Sequence, residues 1–449
     1  MAIPSVLFVP THRTGLASAL AACIAEIHVR RGGRVRLHHL GVPSPAAVWD
    51  RWEGSSFLDP GLYERSILEG LYVRSTHGGD LSLLAASQGP FDTGDSGPWT
   101  PLRVAEALDC PCVLVLDCRG WGESVEALAH GFAAAFAGFD YVNLAGAVVG
   151  GLEDAHQAKK VRRALERPRV PVFGYLFQGE GVEPNAPAPG PWGLPLDDEL
   201  LETVLRRVDL DALEAVANQR GFLTATSVPA DDTSTGPLVM VAGGRGFTPW
   251  SRDSIDLLRE AGAMVRRLDL VEDTDLPGET AGLVLAGEVW PQAMPDLAAN
   301  LSLMRSVRSA IEDGMPTLAL GGGMIYLLRA VQDVLGRRHE MAGLLPVEAE
   351  IISLFEEPVF YQVAAERDTI LLQAGDRLVG WMLSDVDIMD EPVTRNFPLC
   401  IALPGSAEGM FEGAASPNLL CSRLLMHLAS NPSMAKRFVA ACRSFAAAV

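Results

Sequence analysis

Most residues that could do chemistry lie in glycine-containing turns after buried strands, and the first such turn is VPTHRTGLAS, residues 9–18. A turn of this kind binds nucleotide phosphates through Gly-Lys followed by Ser or Thr, because the lysine contacts the phosphates and the hydroxyl binds Mg²⁺. Here the turn reads Gly15-Leu16-Ala17, and the sequence contains no Gly-Lys pair. Its backbone amides could still bind an anion; the alternative is a turn without a nucleotide. The candidate anion-binding residues are Thr11, Arg13, Thr14, Gly15 and Ser18.

Polar residues also follow two later strand segments. They are Gln88, Asp92 and Asp95 after LSLLAA, and Asp117 and Arg119 at the end of PCVLVLD. Ligands of parallel-sheet proteins bind at the carboxyl ends of the strands, so Asp92 and Asp95 could hold a metal ion or a polar ligand. Alternatively, an aspartate in a Gly- and Pro-rich turn bonds its own backbone. Arg119 is the stronger candidate for an anion contact, because a guanidinium presents a fork of donors.

The segment LALGGGMIYLL, residues 318–328, has the form of a nucleophile elbow, in which small residues surround a nucleophile on a strained turn between strand and helix. Gly321 stands at the nucleophile position and has no side chain that could attack a substrate. None of the seven cysteines lies in another turn of this kind. His427 is the candidate base, and the alternative is a packed structural histidine. The sequence therefore predicts no intact catalytic residue here.

The elements around these turns predict an α/β protein with two doubly wound, mainly parallel sheets. Apolar runs alternate with segments of helical spacing from residue 5 onward and again from residue 238. The predicted domains are residues 1–223, with a Pro/Gly-rich loop at 178–195, and residues 238–449; a turn-rich linker at 224–237 joins them. In the second domain we expect a strand, a glycine turn and a helix over TLALGGGMIYLLRAV, and later strands at 359–364, 370–373, 378–382 and 400–403.

The charge and the apolar content of the sequence exclude several classes of binding partner. The net charge is −20 and the pI about 4.9, so the surface repels phosphate backbones and anionic lipids, and we expect neither nucleic acid nor membrane as a partner. Only Lys159, Lys160 and Lys436 are lysines. No run reaches the roughly 18–20 apolar residues that span a bilayer, and we recognise no signal peptide. We therefore expect a cytoplasmic protein, with its cysteines as free thiols and no metal site.

Several stretches resemble the cobyrinic acid a,c-diamide synthases and the relatives that amidate other tetrapyrroles. The matching stretches, in the family's order, are FLDPGLYERS (57–66), QGPFDTG (88–94), LDCPCVLVLDCRGWGESVEALAHGF (108–132), VDLDALEAVA (208–217), GLVLAGEVWPQAMPDLAANLSLMRSVR (282–308), ALGGGMIYL (319–327) and HLASNPSMAKRFVAA (427–441). The resemblance implies a P-loop, dethiobiotin-synthetase-like domain followed by a class I glutamine-amidotransferase-like domain. It also implies ATP-driven amidation of a tetrapyrrole carboxylate, with glutamine as the ammonia source.

The same resemblance identifies a degenerate member of the family. The phosphate-loop lysine of the family falls at or near Leu16, and the acidic residue of its Glu-Gly motif falls at Gln88. The basic residue and aspartates after the second strand correspond to His38-His39-Leu40-Gly41 and Pro43-Ser44-Pro45. The glutaminase cysteine corresponds to Gly321. One histidine of the family's His-x-His is absent from Leu425-Met426-His427, and its Gly-His-Glu segment corresponds to Val379-Gly380-Trp381-Met382.

Three functions are compatible with this sequence. The first is a non-catalytic paralogue that binds a tetrapyrrole, or pairs with itself or with a related amidase chain, for delivery, regulation or scaffolding. The second is an active amidoligase that uses ATP, Mg²⁺ and free ammonia with a rebuilt site around Arg13 and Arg119. The third is a protein-interaction module without a small ligand. Losing the lysine and the Mg²⁺ ligand removes the charge stabilisation on which phosphoryl transfer depends, which favours the first.

Overall fold

The computed structural model describes most of the chain: residues 3–41, 56–63, 65–93, 97, 99–138, 142–182, 196–219, 235–247, 250–389, 397–431 and 433–448. Contacts divide the chain into two compact units, Met1–Gly61 with Arg65–Val228, and Leu62–Glu64 with Pro229–Val449. Three predicted features lie wholly or partly outside the described residues: Pro43-Ser44-Pro45, most of the 178–195 loop and most of the 224–237 linker. Asp95 also lies outside them.

The first unit is built on one parallel sheet with the order β3-β2-β4-β1-β5-β6-β7. Its strands are β1 Ser5–Pro10, β2 Val35–Leu40, β3 Ser56–Leu58, β4 Leu81–Ala86, β5 Cys112–Asp117, β6 Leu144–Leu152 and β7 Val172–Phe177. Its helices are α1 Leu16–Arg30, α2 Arg65–Ser75, α3 Pro101–Ala107, α4 Val125–Phe136, α5 Ala155–Glu166, α6 Asp198–Arg207 and α7 Leu210–Ala217. Every residue of β1, β4 and β5 is buried, as expected for strands covered on both faces.

The helix starts of this unit follow from their capping residues. Asp154, Asp197 and Asp209 each accept a hydrogen bond from the backbone N–H three residues later, which satisfies an amide that the first turn leaves unpaired. Helix α1 instead begins at Gly15 without a side-chain cap from that residue, and its residues 16–27 are all buried. The core of the unit lies between α1 and one face of the sheet.

The second unit contains a mainly parallel sheet with the order β18-β19-β11-β10-β8-β9, in which only β18 is antiparallel. Its strands are β8 Leu238–Gly243, β9 Met264–Asp269, β10 Thr280–Gly287, β11 Thr317–Gly321, β18 Ala414–Ser416 and β19 Leu419–Ser422. Its helices are α8 Arg252–Glu260, α9 Met294–Ala299, α10 Leu301–Glu312, α11 Gly322–Leu327 and α12 Ser433–Ala446, with 3-10 turns at Pro291–Ala293 and Leu428–Ser430. The predicted fold class, α/β with mainly parallel sheets, is confirmed.

The same unit also carries a mainly antiparallel sheet, a separate layer that was not predicted from the sequence. It has the order β13-β12-β14-β15-β20, with β16 on β14 and β17 on β16. Its strands are β12 Leu328–Gln332, β13 Arg338–Glu340, β14 Leu345–Ala365, β15 Arg377–Ile388, β16 Leu399–Ala402, β17 Met410–Glu412 and β20 Leu425–Met426. Among the described residues, every helix is too short or too polar to span a membrane.

Two predicted elements of this unit were wrong. The helix expected to run through LLRAV ends at Leu327, because residues 328–332 form β12 and pair with β13 and β14. The expected strand at 370–373 is a turn. Its backbone amides bond side chains instead of a neighbouring strand: the Thr369 hydroxyl accepts from Leu371 and Leu372, and Asp376 accepts from Gln373. Burial of the two leucines, and not strand pairing, explains the apolar run.

Candidate functional site

The turn after β1 is fixed to the strands beside it. The Thr11 N–H donates to the Val115 carbonyl at 3.2 Å, and the Thr14 N–H donates to the Ser87 carbonyl at 2.9 Å. The Thr14 hydroxyl accepts from the Leu16 N–H at 3.1 Å, so it satisfies one amide at the start of α1. The loops after β1 and β4 therefore meet at the carboxyl edge of the sheet, as predicted, and Arg13 is exposed there.

Leu16 fills the space beside this turn. Its side chain is fully buried in the core of the first unit, and it lies against Gly150, where a Cβ would come within 2.6 Å of Leu16 Cδ2. Ser18, one turn into α1, is 3% exposed, and its hydroxyl has no hydrogen-bond partner among the described residues. The predicted anion-binding serine is thus inside the protein, beneath the turn.

Asp117 and Arg119 are bound to each other. The Arg119 guanidinium donates to both carboxylate oxygens, with Nη2 at 2.7 Å from Oδ2 and Nε at 3.1 Å from Oδ1, and the Arg119 N–H donates to Oδ1 at 3.1 Å. His12 Nε2 lies 3.6 Å from Asp117 Oδ2. The Asp117 side chain is only 4% exposed, so this ion pair orders the β5 terminus. Any anion contact by Arg119 would have to compete with that pair.

Gln157 organises the same turn and was not among the residues predicted from the sequence. Its amide nitrogen donates to the carbonyls of Cys118 and Trp121, at 2.8 and 2.7 Å, and its carbonyl accepts from the Glu153 N–H at 2.6 Å. The Trp121 N–H also donates to Cys118, with Gly120 at φ +68° between them. Only this glycine signalled a tight turn in advance; a glutamine on a polar helix carries no such signal.

The loop after β4 closes on itself through Asp92. The Gly89 N–H donates to Asp92 Oδ2 at 3.0 Å, and the Asp92 N–H donates to the Gly89 carbonyl at 3.1 Å. Gln88 is half-buried in the same loop. Asp92 therefore makes the turn-type contact that was the predicted alternative to metal binding. Among the described residues no group of three or more metal-ligating side chains is present.

The elbow in the second unit keeps its backbone geometry without a nucleophile. Gly321 has φ +61°, a conformation that strains any residue with a side chain, at the junction of β11 and α11. A Cβ at this position would lie 2.9 Å from the Gly287 carbonyl oxygen, 3.0 Å from Glu288 Oε1 and 3.0 Å from Leu425 Cγ. The elbow is therefore closed by its neighbours and contains a buried carboxyl group, since Glu288 is 2% exposed.

His427 is held as a hydrogen-bond donor. The side chain is completely buried, and its Nδ1 accepts the Ala429 N–H at 3.1 Å. The proton of the neutral ring must therefore be on Nε2, which lies 2.8 Å from the Ser251 hydroxyl and 3.9 Å from Asp253 Oδ2. A ring with this tautomer donates to Ser251 and has no free lone pair with which to act as a base.

The C-terminal unit also matches a known domain model. Residues 239–353 match the CobB/CobQ-like glutamine amidotransferase domain. The chain is 28% identical over 463 residues to a hydrogenobyrinate a,c-diamide synthase of Thermobifida fusca, covering 96% of this chain and 93% of that protein. It is 26% identical over 405 residues to a cobyrinate a,c-diamide synthase of Synechococcus, covering 86% of each.

Among solved structures, PurLQS of Thermotoga maritima is 16% identical, with a TM-score of 0.29 over 45% of this chain and 96% of its own. The MinC:MinD complex of Aquifex aeolicus gives 11% identity and a TM-score of 0.31 over 50% of this chain and 99% of its own. Fold, elbow and domain match together define an α/β protein with a glutamine-amidotransferase-type unit. Over most of its length the chain is similar to cobyrinate and hydrogenobyrinate a,c-diamide synthases.

Proposed function

We propose that this chain is a non-catalytic member of its family that binds a carboxylated tetrapyrrole. The closed elbow at Gly321 is the observation that carries the proposal. A glutaminase of this class needs a thiolate at that position, whereas Gly287, Glu288 and Leu425 enclose the place where its Cβ would lie. A side chain there would also meet the buried Glu288 carboxyl group, whose Oε1 lies 3.0 Å from the position of the Cβ. His427 adds no base, because its Nε2 proton is directed at Ser251.

The residues of the first unit do not fit Mg²⁺-ATP either. The position that the family resemblance assigns to the phosphate lysine is the buried Leu16, and it supplies packing in place of charge. The Asp117 carboxylate, an acidic group at the sheet edge, is occupied by Arg119. Phosphoryl transfer depends almost wholly on positioned positive charge, so we derive no ATP-dependent step for this chain.

Tetrapyrrole binding is supported by two considerations. The relatives that the chain matches over most of its length are named for cobyrinate and hydrogenobyrinate. The carboxyl edge of the first sheet also keeps an ordered surface, in which Gln157 fixes the turn that presents Trp121, 41% exposed, beside Arg119. An exposed indole suits the face of a flat ring.

Isothermal titration tests the proposal with three ligands: Mg²⁺-ATP, L-glutamine and cobyrinic acid, with cobyrinic acid heptamethyl ester as the matched control that lacks free carboxylates. We expect heat only from the free acid. Micromolar binding of Mg²⁺-ATP would contradict the proposal and favour the ammonia-dependent amidoligase. If none of the four compounds gives a heat of binding, the proposal is contradicted and a pure interaction module is favoured.

A further inference from the structure

Helix α5 is strongly basic in a chain of net charge −20. Its sequence AHQAKKVRRALE contains two of the three lysines of the protein. Lys159, Arg163 and Arg167 are spaced four residues apart, and Lys160 lies between them on the same side, because residues three and four apart share a helix face. We call these four residues the α5 stripe. It runs along about 12 Å of helix, at 1.5 Å per residue.

The α5 stripe is exposed and mostly unneutralised. Within the described part of the chain, Lys159, Lys160 and Arg163 take part in no ion pair, and Arg167 pairs with Glu126 at 3.1 Å while remaining 77% exposed. The opposite side of the helix, Val161, Ala164 and Leu165, is buried against the unit. Packing therefore fixes the stripe toward solvent, where three adjacent cations repel each other without a partner.

The loop after β9 carries one exposed run of acidic residues. Glu272, Asp273 and Asp275 are exposed there, and among the described residues they form no ion pair. Asn300 makes this loop rigid by donating to the carbonyls of Leu270 and Asp273, at 3.0 and 2.8 Å. We call residues 271–275 the acidic loop. A preordered loop loses little conformational entropy when it binds.

We infer that the α5 stripe binds the acidic loop of a second copy of this chain. The α5 stripe and the acidic loop carry opposite charge, and both are exposed. The stripe of one copy can therefore bind the loop of another copy. A small molecule fits less well, because ligand sites are concave and a helix face is convex. Extended polyanions such as nucleic acid or a membrane would also meet the acidic remainder of the surface, which repels them. This inference does not depend on the proposed ligand.

Sedimentation velocity of the full chain between about 1 and 100 µM tests the inference. We expect concentration-dependent association that weakens at least tenfold between about 50 and 300 mM NaCl, because salt screens exposed charges beyond about 8 Å. The triple variant Lys159→Glu, Lys160→Glu, Arg163→Glu should stay monomeric. The matched control Arg31→Glu, Arg377→Glu, Lys436→Glu makes the same change in charge outside helix α5 and the acidic loop and should associate like wild type. Circular dichroism confirms that each variant is folded.

A charge swap makes the test specific. The variant Glu272→Lys, Asp273→Lys, Thr274→Lys changes the net charge of the acidic loop from −3 to +2 and keeps Asp275, and alone it should also stay monomeric. Mixed with the α5 triple variant, it should form a complex, because the acidic α5 stripe of one variant can bind the basic loop of the other. A wild type that stays monomeric, association that persists in the triple variant, or a mixture that forms no complex would each overturn the inference. A monomer that binds anionic vesicles or duplex DNA through the stripe would overturn it as well.

Discussion

At the scale of single residues, Gly321 combines a strained backbone with a crowded position. Its φ of +61° costs about 1–3 kcal/mol for a residue with a side chain, and three neighbours stand within 3.0 Å of where the Cβ would be. The variant Gly321→Cys should therefore restore no glutaminase activity and should lower the free energy of unfolding by at least that amount. Ammonia release from glutamine and urea denaturation measure the two effects.

Gly314 provides a matched control for this variant. It also has a positive φ, +99°, but a Cβ there would meet nothing within 4 Å. Gly314→Cys should therefore lower the free energy of unfolding only by the backbone cost. Any further loss of unfolding free energy in Gly321→Cys measures the crowding by Gly287, Glu288 and Leu425. Glutamine hydrolysis by Gly321→Cys well above that of Gly314→Cys would show that the elbow can still open.

His39 predicts a pH dependence of stability. Burial lowers the pKa of His39 to about 4 from 6.5, and neither ring nitrogen has a partner among the described residues. The folded state thus keeps the ring neutral while the unfolded chain protonates it below pH 6.5. The free energy of unfolding is therefore independent of the His39 ring above pH 6.5. It falls by about 3 kcal/mol between pH 6.5 and pH 4, at 1.36 kcal/mol per pH unit.

The variant His39→Leu should lose this slope and should be at least as stable as wild type at pH 7, because it removes a buried unsatisfied polar group. Urea unfolding at half-unit steps from pH 4.5 to 7.5 measures both quantities. If the difference in unfolding free energy between wild type and His39→Leu stays constant across this pH range, the His39 ring is not the titrating group.

At the scale of elements, Gln157 joins helix α5 to the turn after β5. Replacing it with Leu removes two bonds to carbonyls and one from an amide, so Gln157→Leu should cost about 1–3 kcal/mol in unfolding free energy and should increase hydrogen exchange at residues 118–121. Gln178→Leu is the control, since it removes only one bond, to the Gly151 carbonyl. Equal exchange in both variants would contradict a specific role in the β5 turn.

An ion pair with a buried carboxylate joins the antiparallel sheet to Arg423, which directly follows β19 of the parallel sheet. Arg423 donates to Glu412 on β17, with Nη2 at 2.6 Å, and Arg423 Nη1 donates to the Val386 carbonyl on β15. Because the Glu412 side chain is 3% exposed, removing its partner leaves a buried charge. Arg423→Leu should cost about 3–5 kcal/mol, whereas Arg423→Leu with Glu412→Leu should recover most of that loss. Chemical denaturation of the three proteins distinguishes a pair from two independent contacts.

At the scale of the whole molecule, ligand binding should appear as thermal stabilisation. Cobyrinic acid at 100 times its Kd should add about 2.7 kcal/mol, which corresponds to a rise of several degrees in Tm for a unit of this size. Mg²⁺-ATP and glutamine should leave the Tm unchanged. A shift with Mg²⁺-ATP but not with cobyrinic acid would reverse the preferred function.

The sequence alone was sufficient for the fold class and for the missing groups. Continuous apolar runs predicted β1, β4 and β5, since strands covered on both faces are buried at every position. The absence of a Gly-Lys pair and the three glycines at 321–323 were also visible in advance. These features depend on local composition and need no knowledge of distant contacts.

Tertiary structure alone decided how the remaining groups are used. Arg119 could have faced solvent, but Asp117 holds it; His427 could have been a base, but the Ala429 amide fixes its tautomer. The LLRAV segment has helical spacing and became β12, because β13 and β14 offered it strand partners. In each case the outcome depended on a partner brought close by folding, whose hydrogen bond or packing outweighs a local preference worth less than about 1 kcal/mol per residue.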